Sequence, residues 1–267
     1  MRRSAKTLSA FIFGAVVISA AGARAAASDD LTIVSKHTHD GKPSGTSTSY
    51  LGTDHVRIGR EYGNETIVDL KTHVMTTLDG RKKTYFTVTK QDLAALAAKM
   101  NERMNSPEMK KAATAMSGMS DALADSFDVK KTGTSRKVAG FRCDEWTITM
   151  GEMTTINECI TTEMAYPAQA FEAYKDFSES MRSMAGAFGP MAKTSEAMAQ
   201  KLKGMKGYPV ATTTTMDLMG NKSVMVSEVV EVRHGPIPAS AWEIPAGYTK
   251  IENPMLKALE GHGRPHH

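Results

Sequence analysis

Two cysteines, Cys143 and Cys159, stand eight residues either side of Gly151 in a chain that opens with an export signal. A glycine turn midway between two residues is what a β-hairpin uses to set two side chains directly opposite each other. In that register their Cα atoms lie roughly 4.5–5.5 Å apart, inside the range a disulfide spans. Exported chains fold in an oxidising compartment, where such a pair stays joined. The spacing therefore predicts a hairpin over 143–159, closed by a Cys143–Cys159 disulfide.

The export signal is read from residues 1–27. Arg2, Arg3 and Lys6 form a positive segment, Leu8 to Ala20 is an apolar run, and Ala23-Arg24-Ala25 or Ala25-Ala26-Ala27 offers a small-residue cleavage site. The apolar run is shorter than the roughly 20 residues a membrane span needs, so cleavage is expected rather than anchoring. Arg2-Arg3 resembles a twin-arginine signal, but Ser-Ala-Lys follows, which favours the general secretory route. No cysteine near the cleavage site is available for a lipid. The expected product is a soluble periplasmic or secreted protein with no membrane span.

Cleavage changes the charge. Loss of Arg2, Arg3, Lys6 and Arg24 takes four of the 33 basic residues and leaves 29 opposite 29 acidic ones. A nearly neutral surface gives no electrostatic case for nucleic acid as a partner. No Pro/Ser linker divides the remainder, so one domain is expected over 28–250, followed by a disordered Gly/Pro/His tail over 251–267.

Two kinds of segment alternate. Leu31 to His39, Thr46 to Leu51, Val56 to Ile58, Thr66 to Leu70, Val74 to Leu78 and Thr84 to Val88 read as short strands. Asp40-Gly41, Gly63-Asn64 and Asp79-Gly80 mark turns between them. The period then turns helical over Gln91 to Asn105 and Glu108 to Ala124, with Pro107 placed at a helix start. Strands return over Phe127 to Thr132 and Val138 to Ile160. After Tyr166-Pro167 a second helical stretch carries Met181, Met184, Phe188, Met191, Met198, Leu202 and Met205 at three- and four-residue steps. Gly186, Gly189 and Pro190 interrupt it, which argues for bent helices over a coiled coil. Val210 to Leu218 and Val224 to Val232 form a last hairpin across Gly220-Asn221, and Trp242 to Tyr248 returns over the core. Strands and helices in separate blocks imply an α+β fold: a long curved antiparallel sheet, a half-open β-barrel, with two helical excursions on its concave face.

The runs Val56-Arg57-Ile58, Thr66 to Lys71, Lys83 to Phe86 and Val138 to Trp146 resemble an exported bacterial family catalogued as domain of unknown function 4412, over about Leu31 to Tyr248. That family is itself similar to the periplasmic lipoprotein-carrier (LolA/LolB-like) superfamily. The resemblance implies a half-open barrel closed by helices and an acyl chain or similar ligand. It implies no catalytic residues.

Methionine is the candidate ligand-lining residue, because its unbranched, polarisable side chain adapts to varied apolar partners. Met100, Met104, Met116, Met119, Met181, Met184, Phe188 and Met191 are the candidates for lining a pocket; filling an ordinary core is the competing reading. Met116-x-x-Met119 and Met181-x-x-Met184 also suit Cu(I) in ligand type. Each pair supplies too few ligands by itself, and no cofactor or metal is expected. His37 and His39 lie on one face of a strand without a third ligand and are expected to be exposed. No nucleophile elbow, zinc-protease motif, phosphate loop or dinucleotide fingerprint is present. Asp144 and Glu145 point to opposite faces of a strand, and Cys143 is committed to the disulfide. The expectation is a non-enzymatic protein that binds an apolar or lipid-like ligand between sheet and Met-rich helices. The alternative is an interaction protein of the cell envelope, with a filled core and a protein partner.

Overall fold

The structure is a computed structural model that describes residues 30–60, 63–107, 124–164, 200–218 and 220–254, with the single positions 111, 122, 197, 198, 256 and 257. The segment read as a signal lies outside them. So do the interior of the second Met-rich stretch and most of the helix expected over 108–124.

Among the described residues, twelve strands form one sheet. The first six are β1 (Leu31–His39), β2 (Lys42–Leu51), β3 (His55–Gly59), β4 (Glu65–Asp69), β5 (Met75–Asp79) and β6 (Thr84–Val88). They make an up-and-down meander in which each pairs antiparallel with the next. The turns explain themselves locally. Asp40 and Gly41 both take positive φ, 50° and 76°, as a tight two-residue hairpin demands. The Asp79 carboxylate accepts the amides of Arg81 and Lys82 at 3.1 and 3.0 Å and holds the β5–β6 turn.

A helix, α1 (Lys90–Met104), follows β6. The Thr89 hydroxyl accepts the Asp92 amide at 3.1 Å, and the Asp92 carboxylate accepts the Thr89 amide at 2.8 Å. This reciprocal cap satisfies two amides that the first turn would leave without partners. Leu93 and Leu96, three residues apart, are buried on one side of the helix.

The second meander comprises β7 (Phe127–Val138), β8 (Phe141–Met150), β9 (Thr154–Thr161), β10 (Tyr208–Leu218) and β11 (Asn221–His234). Where two separate runs were expected between Phe127 and Ile160, β7 instead passes unbroken through Thr132 to Lys137. It turns at Ala139-Gly140, whose φ values are 49° and 88°. The polar run Gly133 to Lys137 stands outside both expected strands. It extends as a strand because β7 is an edge, exposed and bulged between Lys131 and Ser135, where charge is tolerated.

One antiparallel pair, β1 with β11, joins the two meanders. The spatial order is β12-β6-β5-β4-β3-β2-β1-β11-β10-β9-β8-β7, where β12 (Thr249–Lys250) lies parallel to β6. The Ile251 amide then donates to Tyr85 O at 2.8 Å, and Asn253 is buried. The sheet is curved and unclosed, in agreement with the open-barrel expectation. It curls at the β7 end, where Arg136 of β7 binds Glu145 of β8 at 3.0 Å and reaches Glu228 of β11 at 3.8 Å. Glu228 in turn binds Lys36 of β1 at 2.8 Å. The curl also brings Val138 of β7 into one buried cluster with Leu31 and Ile33 of β1 and Val210, Ala211 and Val229 of β10 and β11. Leu31 and Ile33 are almost wholly enclosed, each contributing roughly 1.5–3 kcal/mol by burial.

The Cys143–Cys159 disulfide sits in this cluster, with Cα atoms 5.2 Å apart. Its register corrects the expectation. Met150 pairs with Thr154 and Glu145 with Cys159, so the hairpin turns about Glu152, one residue beyond Gly151. The cysteines are therefore diagonal neighbours, not direct opposites. They still share a face, because both remain on positions of the same parity.

Two predictions follow from the core. Replacing both cysteines with alanine should lower the urea-unfolding free energy by about 3 kcal/mol, the entropy of a cross-link spanning 16 residues. Non-reducing peptide mapping of the wild type should recover the linked pair. Burial pushes the Glu158 carboxyl above its ordinary value. An acid raised in the folded state costs stability once pH passes its unfolded pKa. Glu158→Gln should therefore raise the denaturation midpoint at neutral pH, and the gain should vanish below about pH 4.3, the ordinary glutamate value.

Candidate functional site

Two places in the described structure combine shape and chemistry. The first is built on Arg57. In β3 the alternation puts Val56 on one face, inside a small core with Val68 and Leu70, and turns Arg57 to the other. Arg57 is nonetheless buried. A buried guanidinium needs partners for its five N–H donors. Nε donates to Glu65 of β4 at 3.1 Å, and Nη2 donates to the same carboxylate oxygen. Nη1 donates to the carbonyls of Ala241 at 2.7 Å and Glu243 at 3.3 Å. Those carbonyls belong to a short 3-10 turn, Ala239–Trp242, within a strap that returns to the sheet. One side chain thus ties the strap to two strands.

Trp242 completes the attachment. Its ring stacks on His55 at 5.4 Å and meets Tyr50 edge-on at 6.1 Å. A Cβ on Gly52 would stand 3.0 Å from the indole, so the absent side chain makes room for it. Between strap and sheet lies a cleft of about 580 Å³, lined by Thr46, Thr48, Tyr50, Arg60, Glu65 and Ile244 among others. Its walls mix hydroxyls and the charged Arg57, Arg60 and Glu65 with Tyr50, Ala241 and the Ile244-Pro245-Ala246 run.

The second place is one face of β7–β11. Strand residues two apart share a face. By register, Phe127, Val129, Trp146, Ile148, Met150, Ile156, Met216 and Met225 therefore lie together. The opposite face at the same rows carries Thr147, Thr149, Thr155, Asn157, Thr213 and Thr215. There the Thr147 hydroxyl donates to Asn157 Oδ1 at 2.8 Å. The end of the second helical stretch reaches the apolar face. Lys201 Nζ donates to Ala124 O at 3.3 Å and to Phe127 O, and a Cβ on Gly204 would stand 3.7 Å from the Trp146 ring. Glu158 stands in this row beside Trp146 and Thr212, which accounts for its raised pKa.

The sequence-derived candidates divide accordingly. Met100 is half-buried on α1. The side chain of Met104, and Met116, Met119, Met181, Met184, Phe188 and Met191 altogether, lie outside the described residues. His37 corrects an expectation: it is buried, with Nε2 at 2.7 Å from the Ser47 hydroxyl, because its strand is interior to the sheet. His39 lies 2.9 Å from the Ser223 hydroxyl. Among the described residues, no three His, Cys, Asp or Glu side chains converge as a metal site, and no helix is long and apolar enough to cross a membrane. Asp144 and Glu145 go to opposite faces, as alternation requires. The Lys131 ammonium, followed by the Ser135 hydroxyl, lowers the pKa of Asp144; the Thr134 hydroxyl, followed by Arg136, lowers that of Glu145.

Arg57 and Trp242 are what sequence reasoning missed as a site. The strap's dependence on them is testable. Arg57→Ala leaves the Glu65 carboxylate and two carbonyls without their donor, at a cost of about 3 kcal/mol. Limited proteolysis of the folded variant should then cut within 235–248, where the wild type resists; an unchanged cleavage map would remove the clamp's role.

A family model described as "Domain of unknown function (DUF4412)" matches residues 32–248. No curated protein matches the chain. Among solved structures, PNGF-II in its C2 crystal form superposes with a TM-score of 0.39 at 11% identity, over 86% of this chain and 32% of that one. MucB in complex with MucA(peri) gives 0.32 at 12%, over 82% and 54%. The Pseudomonas aeruginosa MucA/MucB complex gives 0.31 at 11%, over 82% and 56%. The chain thus spans about a third of the length of the PNGF-II chain and just over half of the MucB chains. Likenesses this loose carry no argument about what the chain binds. The family match covers most of the chain, from the start of β1 to the end of the strap, and the protein belongs to the family of domain of unknown function 4412.

Proposed function

We propose that this is a non-enzymatic binding protein of the cell envelope, exported and cleaved at its signal, which holds an elongated apolar ligand between its sheet and its Met-rich helical segments. The observation that supports it best is the two-sided character of β7–β9. One face of these three strands carries Asp128, Lys130, Thr147, Thr149, Thr155 and Asn157; the other carries Phe127, Val129, Trp146, Ile148 and Ile156, with Thr154 and Glu158 among them, and receives the described residues about Lys201 and Gly204. Met-bearing segments brought to such a face would supply an adaptable apolar wall. The core disulfide suits an oxidising compartment.

A second reading, docking of an envelope protein, draws on different residues. Met153 at the β8–β9 turn and Leu218 at the β10–β11 turn are both more than half exposed. The two tips are adjacent, since the Asp217 amide donates to Met153 O at 2.8 Å. Apolar side chains held together at a protein's edge mark a contact surface when they form a patch.

A dansyl-labelled fatty acid separates the two readings. The chain has two tryptophans, Trp146 on the apolar face and Trp242 under the strap. Energy transfer from tryptophan to bound dansyl should disappear in Trp146→Phe and persist in Trp242→Phe. Met184→Lys and Met191→Lys should remain folded and lose uptake. Absence of uptake by the wild type, with no lipid retained in native mass spectra of protein from its own periplasm, would leave the docking reading.

A further inference from the structure

Glu158 of β9 is an acid in an apolar setting. It stands between Trp146 of β8 and Thr212 of β10, on the face of β7–β9 that carries Ile148 and Ile156. It is half-buried, and among the described residues it has no hydrogen bond and no ion pair. Carboxylates taken out of water are ordinarily paired, because burial without a partner disfavours the charged form. Here burial alone pushes the carboxyl up, with no neighbouring cation to offset it. The basic groups around it are engaged elsewhere. Lys131 faces Trp146 from β7, the far side of the indole, and its ammonium binds Asp144 at 2.6 Å. Lys201 donates to the carbonyls of Ala124 and Phe127. Beyond Thr212 the row continues to Ser227 of β11 and His37 of β1, whose Nε2 lies 2.7 Å from the Ser47 hydroxyl. An unpaired carboxyl kept where it costs stability is a candidate for binding.

The surroundings specify what it would bind. Directly opposed residues on antiparallel strands hold their Cβ atoms about 4.5–5.5 Å apart, so the Glu158 carboxyl and the Trp146 indole border one space. An anionic oxygen beside an aromatic ring is the combination that recognises an ammonium group. The indole already meets one, since Lys131 Nζ lies 5.9 Å from its ring centroid. Along the strands from this pair the face turns apolar. Val129, Ile148 and Ile156 form the next row, and Phe127 and Met150 the one after, beside Thr154. From Glu158 to Thr154 the strand rises about 13 Å. A charged end with an apolar run leading from it fits an amphiphile lying along the strands.

We infer that the apolar ligand is a single-chain amphiphile with a cationic amine head, which Glu158 holds beside Trp146 while the chain lies over Ile148 and Ile156. This rests on the reading of the β7–β9 face as the ligand surface and adds to it the charge of the head.

The test uses the mature protein and two probes of equal chain length, dansyl-labelled undecylamine and dansyl-labelled undecanoic acid, titrated by fluorescence at neutral pH. The amine should bind at least ~10-fold more tightly than the acid. Independent of any variant, N-acetylating the amine should remove that advantage. Glu158→Gln should remove it too, while the acid binds no more weakly than before. That variant is expected to be the more stable protein at neutral pH, so lost amine binding together with a raised denaturation midpoint separates head recognition from folding. Displacement of the bound amine by phosphatidylethanolamine vesicles would support the inference with a membrane lipid as the source of the head; displacement by dodecylamine alone would support it with a free amphiphile. Equal binding of the two probes by the wild type, or an amine preference that survives in Glu158→Gln, would overturn the inference and leave the apolar-ligand reading standing. Binding of neither probe would remove both.

Discussion

Everything in this molecule depends on the pairing of β1 with β11. Each meander assembles from neighbours in sequence, through turns of a few residues. The first meander's own core is small, Val56 with Val68 and Leu70. The β1–β11 ladder joins residues about 200 positions apart, Leu31 to His234 at one end and His39 to Met225 at the other. Loop closure on that scale is costly in entropy, though the cost grows only logarithmically with length. What offsets it is burial. Leu31, Ile33, Val210, Ala211 and Val229 meet along this seam, and the Cys143–Cys159 pair and Val138 close over it. The seam also removes two long edges that would otherwise stand open to aggregation.

How legible this was in the sequence follows from the range of the forces involved. The β1 boundaries and the Asp40-Gly41 turn are written locally, because positive φ at both turn positions restricts which residues fit. The same holds for β6, for the capped start of α1, and for the hairpin across Gly220. Boundaries elsewhere moved further: β2 begins at Lys42 where Thr46 was expected, and β11 runs from Asn221 to His234 where Val224 to Val232 was expected. The centre of the cysteine hairpin was displaced from Gly151 to Glu152 because three turn residues, not one, connect Met150 to Thr154. The glycine marks the turn without stating its length. The β7 strand was half-missed for a related reason. Gly133 to Lys137 carries no apolar alternation, since an outermost strand need not bury either face there.

The Arg57 site was not legible, and its geometry says why. Arg57 sits in an ordinary-looking Val-Arg-Ile alternation, which signals a strand with its polar residue turned to solvent. Its partners on the strap are 184 and 186 residues away. No window of sequence contains both. The one available hint was the aromatic tail around Trp242, which was read only as a return over the core. Glycine offers the same lesson at Gly52 and Gly59. Both look like turn or strand-end residues, and both are glycine because an indole and a neighbouring backbone occupy the space a Cβ would take.

The two halves of the sheet end up with different chemistry because of where the chain leaves it. β1 to β6 follow each other with short turns; among the described residues the 238–246 strap packs over β3 and β12 extends the sheet beside β6. A strap of prolines and a 3-10 turn cannot complete a sheet by hydrogen bonding, so it is fastened by a guanidinium and a stacked indole and leaves a cleft beside them. β7 to β11 are interrupted instead by the long segment between β9 and β10, whose described end about 200–204 reaches the Trp146 face. Over β7–β9 the face carrying Trp146, Ile148 and Ile156 is the more apolar one, while its reverse at the same rows carries Thr147, Thr149, Thr155 and Asn157. Cleft and apolar face therefore both follow from chain order. They lie on either side of the same β1–β11 seam, and the buried cluster at that seam is the rigid element both are built on.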